Sequence, residues 1–227
     1  MSQLALPVRL DDHAVFATFH RAGNEAAVDA LQRIADGAQE GLWLSGLAAS
    51  GKTHLLQALC ERTGDDAVYL SAELLAAAGP AMLEGLESRR VIAIDDVDHL
   101  LGDRDVETAL FSLFNLAMDQ GSSLVLSASA ARRELDVLLP DLESRFAQLP
   151  SFHLAPLNED DRLAALRLRA THRGLELPNE TAQYLMNRAR RDMHSLYAVL
   201  DKLDKEALRA QRRLTIPFVR SVLASED

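Results

Sequence analysis

The chain has 227 residues, 48% of them hydrophobic but only 5% aromatic, so a sizeable core must be filled mainly by aliphatic side chains. Its net charge of −10 disfavours a broad electrostatic surface for nucleic acid. One cysteine, Cys60, excludes an internal disulfide. No run reaches the roughly 20 apolar residues of a membrane span, and Met1–Leu10 lack the order of a secretory signal, so a cytoplasmic protein without membrane contact is expected.

Residues 1–15 read as a loosely ordered N-terminal tail. Over residues 16–157, strand-length apolar runs alternate with amphipathic stretches. The runs are Gly41–Gly46, Ala67–Ala72, Val91–Asp96, Ser123–Ser129 and Phe152–Leu157. Most are too apolar to leave one face in water, which predicts a parallel sheet covered by helices such as one over Val106–Asp119. After Pro156 the strand pattern stops. Helices are predicted over Asp160–Thr171, Pro178–Arg190, Met193–Ala210 and Pro217–Leu223, with Asn158 as an N-cap and Gly174 as a stop. Residues 158–227 therefore read as a small helical domain. Charge divides at the same place: residues 1–157 hold 11 Lys/Arg and 23 Asp/Glu, residues 158–227 hold 13 and 11.

Between the first strand and a helix predicted from His54 lies Gly46-Leu47-Ala48-Ala49-Ser50-Gly51-Lys52-Thr53, which fits GxxxxGK[ST] at every fixed position. Glycines let backbone N–H groups curl around phosphate oxygens, and the helix N-terminus adds positive potential. Gly46, Ala49, Ser50, Gly51, Lys52, Thr53 and His54 are the expected nucleotide cradle, with Lys52 on the β- and γ-phosphates and the Thr53 hydroxyl on Mg²⁺. His54 itself reads as more structural than catalytic. The competing reading of the loop is a chance glycine turn. About 40 residues on, Val91-Ile92-Ala93-Ile94-Asp95-Asp96 is an apolar strand ending in two acids. Asp95 is the second expected Mg²⁺ ligand and Asp96 the water-orienting acid; a solvated strand-end acid is the alternative. Trp43 and Cys60 read as core residues.

These motifs, in this order, resemble AAA+ proteins of the DnaA-related branch over nearly the whole chain. The resemblance implies an α/β fold: a P-loop AAA+ parallel sheet flanked by helices with the P-loop strand central, followed by a small all-helical lid. ATP or ADP with Mg²⁺ would be the cofactors. Phe19-His20-Arg21-Ala22-Gly23-Asn24 resembles the segment flanking the adenine, which puts Asn24 among the nucleotide contacts. Asp141-Leu142-Glu143-Ser144-Arg145-Phe146 resembles the element whose arginine acts on a neighbouring subunit's nucleotide; the alternative for Arg145 is a surface ion pair with Glu143 or Asp141. Ser127 or Ser129 falls where a polar residue senses the γ-phosphate. In the lid, Arg190, Arg191 and His194 remain equal candidates for the second sensor, sharing a face if the helix is continuous.

Within the branch the chain is most similar to regulatory inactivators of DnaA. Gln3-Leu4-Ala5-Leu6-Pro7 resembles the peptide by which they bind the sliding clamp of DNA polymerase III, with Gln3 as an amide anchor, Leu4 and Leu6 in an apolar pocket, and Pro7 closing the motif. An ordinary N-terminal extension is the alternative. The sequence ends with the lid, where an initiator would continue into a DNA-binding domain. The resemblance thus implies a regulator of chromosomal replication initiation that binds the clamp, stimulates ATP hydrolysis by DnaA and has weak hydrolysis of its own, with a homodimer admitted. The alternatives are an autonomous P-loop ATPase or kinase, and a DnaA-like replication loader acting without the clamp; a loader would need a basic stripe, and a kinase a mobile arginine-rich lid.

Overall fold

The aliphatic runs form five strands: β1 (Leu42–Ser45), β2 (Ala67–Ser71), β3 (Val91–Asp95), β4 (Ser123–Ala128) and β5 (Ser151–His153). In the computed structural model, which describes residues 14–188 and 192–224, all neighbouring strands are parallel, in the order β2-β3-β4-β1-β5. Every residue of β1, β3 and β4 is buried. This is why those runs lack polar alternation: helices cover both faces. The P-loop strand β1 is interior but not central, since β4 takes the middle place. The β5 edge strand is shorter than its apolar run, with Ser151 and His153 exposed.

The helices around the sheet are α1 (Glu25–Ala35), α2 (Lys52–Thr63), α3 (Ala72–Ala78), α4 (Arg104–Gln120) and α5 (Pro140–Gln148). Asp103 starts α4 by accepting from the N–H groups of Asp105 and Val106 at 2.9 and 3.2 Å, and Gly121, at φ 74°, ends it. Trp43, fully buried in β1, packs against Phe146 of α5 with ring centroids 5.1 Å apart. Cys60 on α2 is buried, and burial pushes its thiol up to about 12.

The C-terminal helices are α6 (Glu159–His172), α7 (Asn179–Arg188), α8 (Met193–Ala210) and α9 (Ile216–Leu223). Asn158 caps α6 by accepting from the Asp161 N–H at 2.9 Å, and Gly174 follows its end at φ 72°. These helices enclose their own core, centred on Leu166, Leu185, Leu196, Leu200 and Val219. The condition for Arg190, Arg191 and His194 to share a face, one continuous helix, is not met at the α8 end: α8 starts at Met193, as predicted. Asp192 is extended (φ −90°, ψ 146°) and caps α8 by accepting from Ser195 N–H and Oγ, both at 2.8 Å. His194 therefore sits in the first turn of a new helix.

Compactness divides the chain into two units. Gly23–Pro156 forms one, joined by the described residues up to Phe16; Leu157 onward forms the other, joined by Ala17–Ala22. Residues 17–22 thus group with the C-terminal helices rather than with the sheet, and His20 Nε2 lies 3.1 Å from Asp161 Oδ1. Ala14 is already buried, inside the stretch expected to be loose.

Trp43→Ala should destabilise the sheet unit by about 3–5 kcal/mol, read as a lower urea midpoint with an unchanged slope.

Candidate phosphate-binding site

Parallel strands bring their carboxyl ends to one edge of the sheet, and the ends of β1, β3 and β4 carry the predicted chemistry. After β1 the chain turns through Gly46–Gly51 into α2. Ala49 and Gly51 adopt positive φ, 61° and 99°, with Ser50 between them. Alternating handedness of this kind turns successive N–H groups toward one point, forming a concavity for an anion. A left-handed alanine is strained, a conformation that recurs where a loop is shaped for a ligand. Lys52, 6% exposed, donates from Nζ to the Gly46 and Leu47 carbonyls at 3.0 and 3.4 Å, and Asp96 Oδ1 lies 3.6 Å away.

Three observations show that the loop fits a polyphosphate. Ser50 Oγ is buried without a hydrogen-bond partner. A Cβ added at Gly46 would lie 2.6 Å from that Oγ and 3.2 Å from Leu154 Cβ, so a side chain there would crowd the Ser50 hydroxyl and the Leu154 stem. The Lys52 ammonium is held by carbonyls and one carboxylate at 3.6 Å, not by a close ion pair. Thr53 is exposed at the start of α2, free of the packing that buries Leu55 and Leu56. Thr53 and Asp95 are the residues that would hold Mg²⁺. Among the described residues no cluster of three His, Cys, Asp or Glu is placed to hold a metal, and a nucleotide-bound Mg²⁺ needs none, because phosphate oxygens complete its shell.

Asp95 is 3% exposed, and its carboxylate is already engaged. Oδ2 accepts from the Tyr69 hydroxyl at 2.9 Å, and Oδ1 accepts from the Ser127 hydroxyl. Ser127 Oγ also accepts from the Asp96 N–H at 2.9 Å, so one serine holds both acids. Asp96 is left-handed (φ 53°). Burial and the Asp95 charge raise its carboxyl above the ordinary 3.8, with Lys52 opposing them. The Tyr69 hydroxyl is pushed above its ordinary range by burial first, then by the Asp95 charge and hydrogen bond. Tyr69 was not among the sequence candidates. Its signal is positional: Ser71 pairs with Asp95, and Tyr69 lies two residues earlier on the same face of the sheet. Ser129, the other sensor candidate, instead bonds Asp98 through its N–H, at 3.1 Å, and its hydroxyl.

Other candidates take different places. Asn24 is 4% exposed and its amide is paired with the Ala155 backbone: Oδ1 accepts from Ala155 N–H at 2.8 Å and Nδ2 donates to Ala155 O at 3.3 Å. His54 Nε2 donates to the Val15 carbonyl at 2.9 Å, fixing its tautomer and tying down the chain entry. Both side chains thus make bonds that hold backbone in place beside the loop. Arg145 makes no ion pair with Glu143 or Asp141 among the described residues; its guanidinium lies 6.0 Å from the centroid of the Phe114 ring. His194 is exposed. Arg190, Arg191 and the peptide residues Gln3, Leu4, Leu6 and Pro7 lie outside the described residues. No helix among the described residues is long and apolar enough to cross a membrane.

Two family models match the chain: the bacterial DnaA ATPase domain over residues 10–149 and "Hda, lid domain" over residues 159–223. Domain III of the Thermotoga maritima replication initiation protein DnaA superposes with a TM-score of 0.78 at 24% identity, covering 95% of this chain and 98% of that one. AMPPCP-bound DnaA from Aquifex aeolicus gives 0.66 at 22% identity, over 85% of this chain and 65% of that chain. A Thermotoga maritima RuvB structure gives 0.63 at 19% identity, over 89% and 69%. These structures share the fold.

Removing the Asp96 charge should stabilise the nucleotide-free protein. A raised acid pKa means the folded state holds its proton longer, so wild-type stability falls as pH rises from about 4 through the raised value. Asp96→Asn should therefore melt about 1–3 °C higher at pH 7, with the difference closing below pH 4; scanning calorimetry across that range checks both.

Proposed function

The chain belongs to the bacterial DnaA ATPase-domain family, and from that premise we propose that it is an adenine-nucleotide-binding regulator of replication initiation that inactivates DnaA. The observation that carries the reading is the joining of a DnaA-type ATPase domain to an Hda-type lid in one chain. The site chemistry supports nucleotide binding. The Gly46–Thr53 loop has the concavity, the orphaned Ser50 hydroxyl and the loosely held ammonium that a diphosphate or triphosphate would satisfy. AMPPCP occupies related DnaA proteins.

In this reading Lys52 and the loop N–H groups grip the β- and γ-phosphates, and Thr53 and Asp95 hold Mg²⁺, which when bound neutralises charge on the phosphate oxygens. Asp95 meets the metal with its oxygens already oriented by Tyr69 and Ser127. Asp96 is one methylene shorter than glutamate and engages Lys52 at 3.6 Å, so it holds an attacking water poorly and intrinsic hydrolysis is slow. Nucleotide then serves chiefly as a conformational ligand. Arg145, free of the two acids on its own helix, acts on ATP held by DnaA, while Gln3, Leu4, Leu6 and Pro7 tether the chain to the sliding clamp, through which DNA is met.

The test mixes the chain with clamp, DNA and ATP-loaded DnaA and follows hydrolysis. Arg145→Ala and a variant lacking residues 3–7 should each lower the stimulated rate by at least about ten-fold. Full stimulation without clamp or with Arg145→Ala would discard the regulator reading. Separately, Lys52→Ala should weaken ADP binding at least about a hundred-fold by calorimetry, as expected for loss of a buried phosphate-binding charge; unchanged affinity would remove the nucleotide site.

A further inference from the structure

We propose that Glu107 and Arg132 are positioning residues for Arg145, fixing the helix that carries it from its two ends. The proposal rests on the reading of Arg145 as the residue that acts on DnaA-bound ATP. Glu107 is fully buried in the first turn of α4, an unusual place for a carboxylate without a positive partner. Its oxygens are spent on backbone N–H groups. Oε1 accepts from Gly102 at 2.9 Å and from Leu138 at 3.1 Å, and Oε2 accepts from Leu139 at 2.8 Å. Leu139 is the N-cap of α5, and a leucine has no side-chain oxygen to cap with. Glu107 therefore holds, from another helix, the two backbone N–H groups that lead into α5.

The far end is held by a cation. Arg132, in the short 3₁₀ turn Arg132–Glu134, donates from Nη1 to the Phe146 carbonyl at 2.7 Å and to the Leu149 carbonyl. Both carbonyls lie at the C-terminal end of α5, where a cation is favoured, and that of Phe146 also accepts from the Leu149 N–H at 3.1 Å. The third restraint is on the arginine itself. Phe114, whose ring lies 6.0 Å from the Arg145 guanidinium carbon, is seven residues after Glu107 and so on the same face of α4. One face of α4 thus grips the start of α5 and backs its arginine, while Phe146, next to Arg145, is locked against Trp43. Charged hydrogen bonds hold backbone position more firmly than neutral ones. Both sets flank the short nine-residue helix that carries Arg145, whose orientation sets where the guanidinium acts in the reading above.

A positioning role differs from a merely structural one in what its loss changes. In the clamp, DNA and DnaA assay, Glu107→Gln and Arg132→Ala should each lower the maximal stimulated rate by about ten-fold, the scale expected of an ångström-level misplacement. The concentration of chain giving half-maximal stimulation should stay within about two-fold, and Arg132→Lys should recover part of the rate. In an Arg145→Ala background neither substitution should lower the residual rate further. Amide exchange over Pro140–Gln148 should accelerate while that over Lys52–Thr63 does not. Arg132→Ala, a partly exposed site, carries the test if Glu107→Gln fails to fold. Unchanged maximal rates in folded variants, additive losses on top of Arg145→Ala, or unaltered exchange would overturn the proposal. If Arg145→Ala itself retains full stimulation, the parent reading has failed; if Arg145→Ala is silent and the two variants are fully active, only the positioning role has.

Discussion

Three charges meet at one edge of a parallel sheet, and much of the sheet unit is arranged around that fact. Lys52 and Asp95 are almost out of water, with Asp96 half-buried beside them. Charges so placed are expensive unless each finds a polar partner. Asp95 takes two hydroxyls, from Tyr69 and Ser127; Lys52 takes two loop carbonyls; Asp96 is left with a distant ammonium and a raised proton affinity. The least satisfied members of the group, Asp96 and the Ser50 hydroxyl, are those to which an incoming phosphate, cation or water brings most.

The fold was legible because its signals are long and redundant. β1 and β3 read as strands since nothing in them is polar until their ends, and α6 read as a helix since its Asn158 cap and Gly174 stop agree with its pattern. The break before Met193 was read without its agent: Asp192, whose side chain satisfies Ser195 twice while its backbone stays extended. Residues 17–22 follow the C-terminal unit although they precede the sheet in sequence.

At the site the phosphate loop could be read directly, because its residues are adjacent in the chain. The acids' partners could not. Tyr69 and Ser127 reach Asp95 only through strand pairing, and residues 26 and 32 positions apart carry no mark of that encounter. Asn24 and His54 likewise have partners that their places in the sequence do not announce: each side chain bonds a backbone group distant in the chain. Glu107 escaped notice for a related reason: in sequence it is one acid in the first turn of an amphipathic helix, where acids are ordinary.

The fate of Cys60 has a practical side. Its thiol is enclosed by α2 packing and its ionisation lies near 12, so at neutral pH almost no thiolate is present to react. Maleimide dyes or spin labels will pass it by in the folded protein. A reporter cysteine can therefore be placed on the surface of α5 or of the lid in the natural background, without first replacing the residue nature put there.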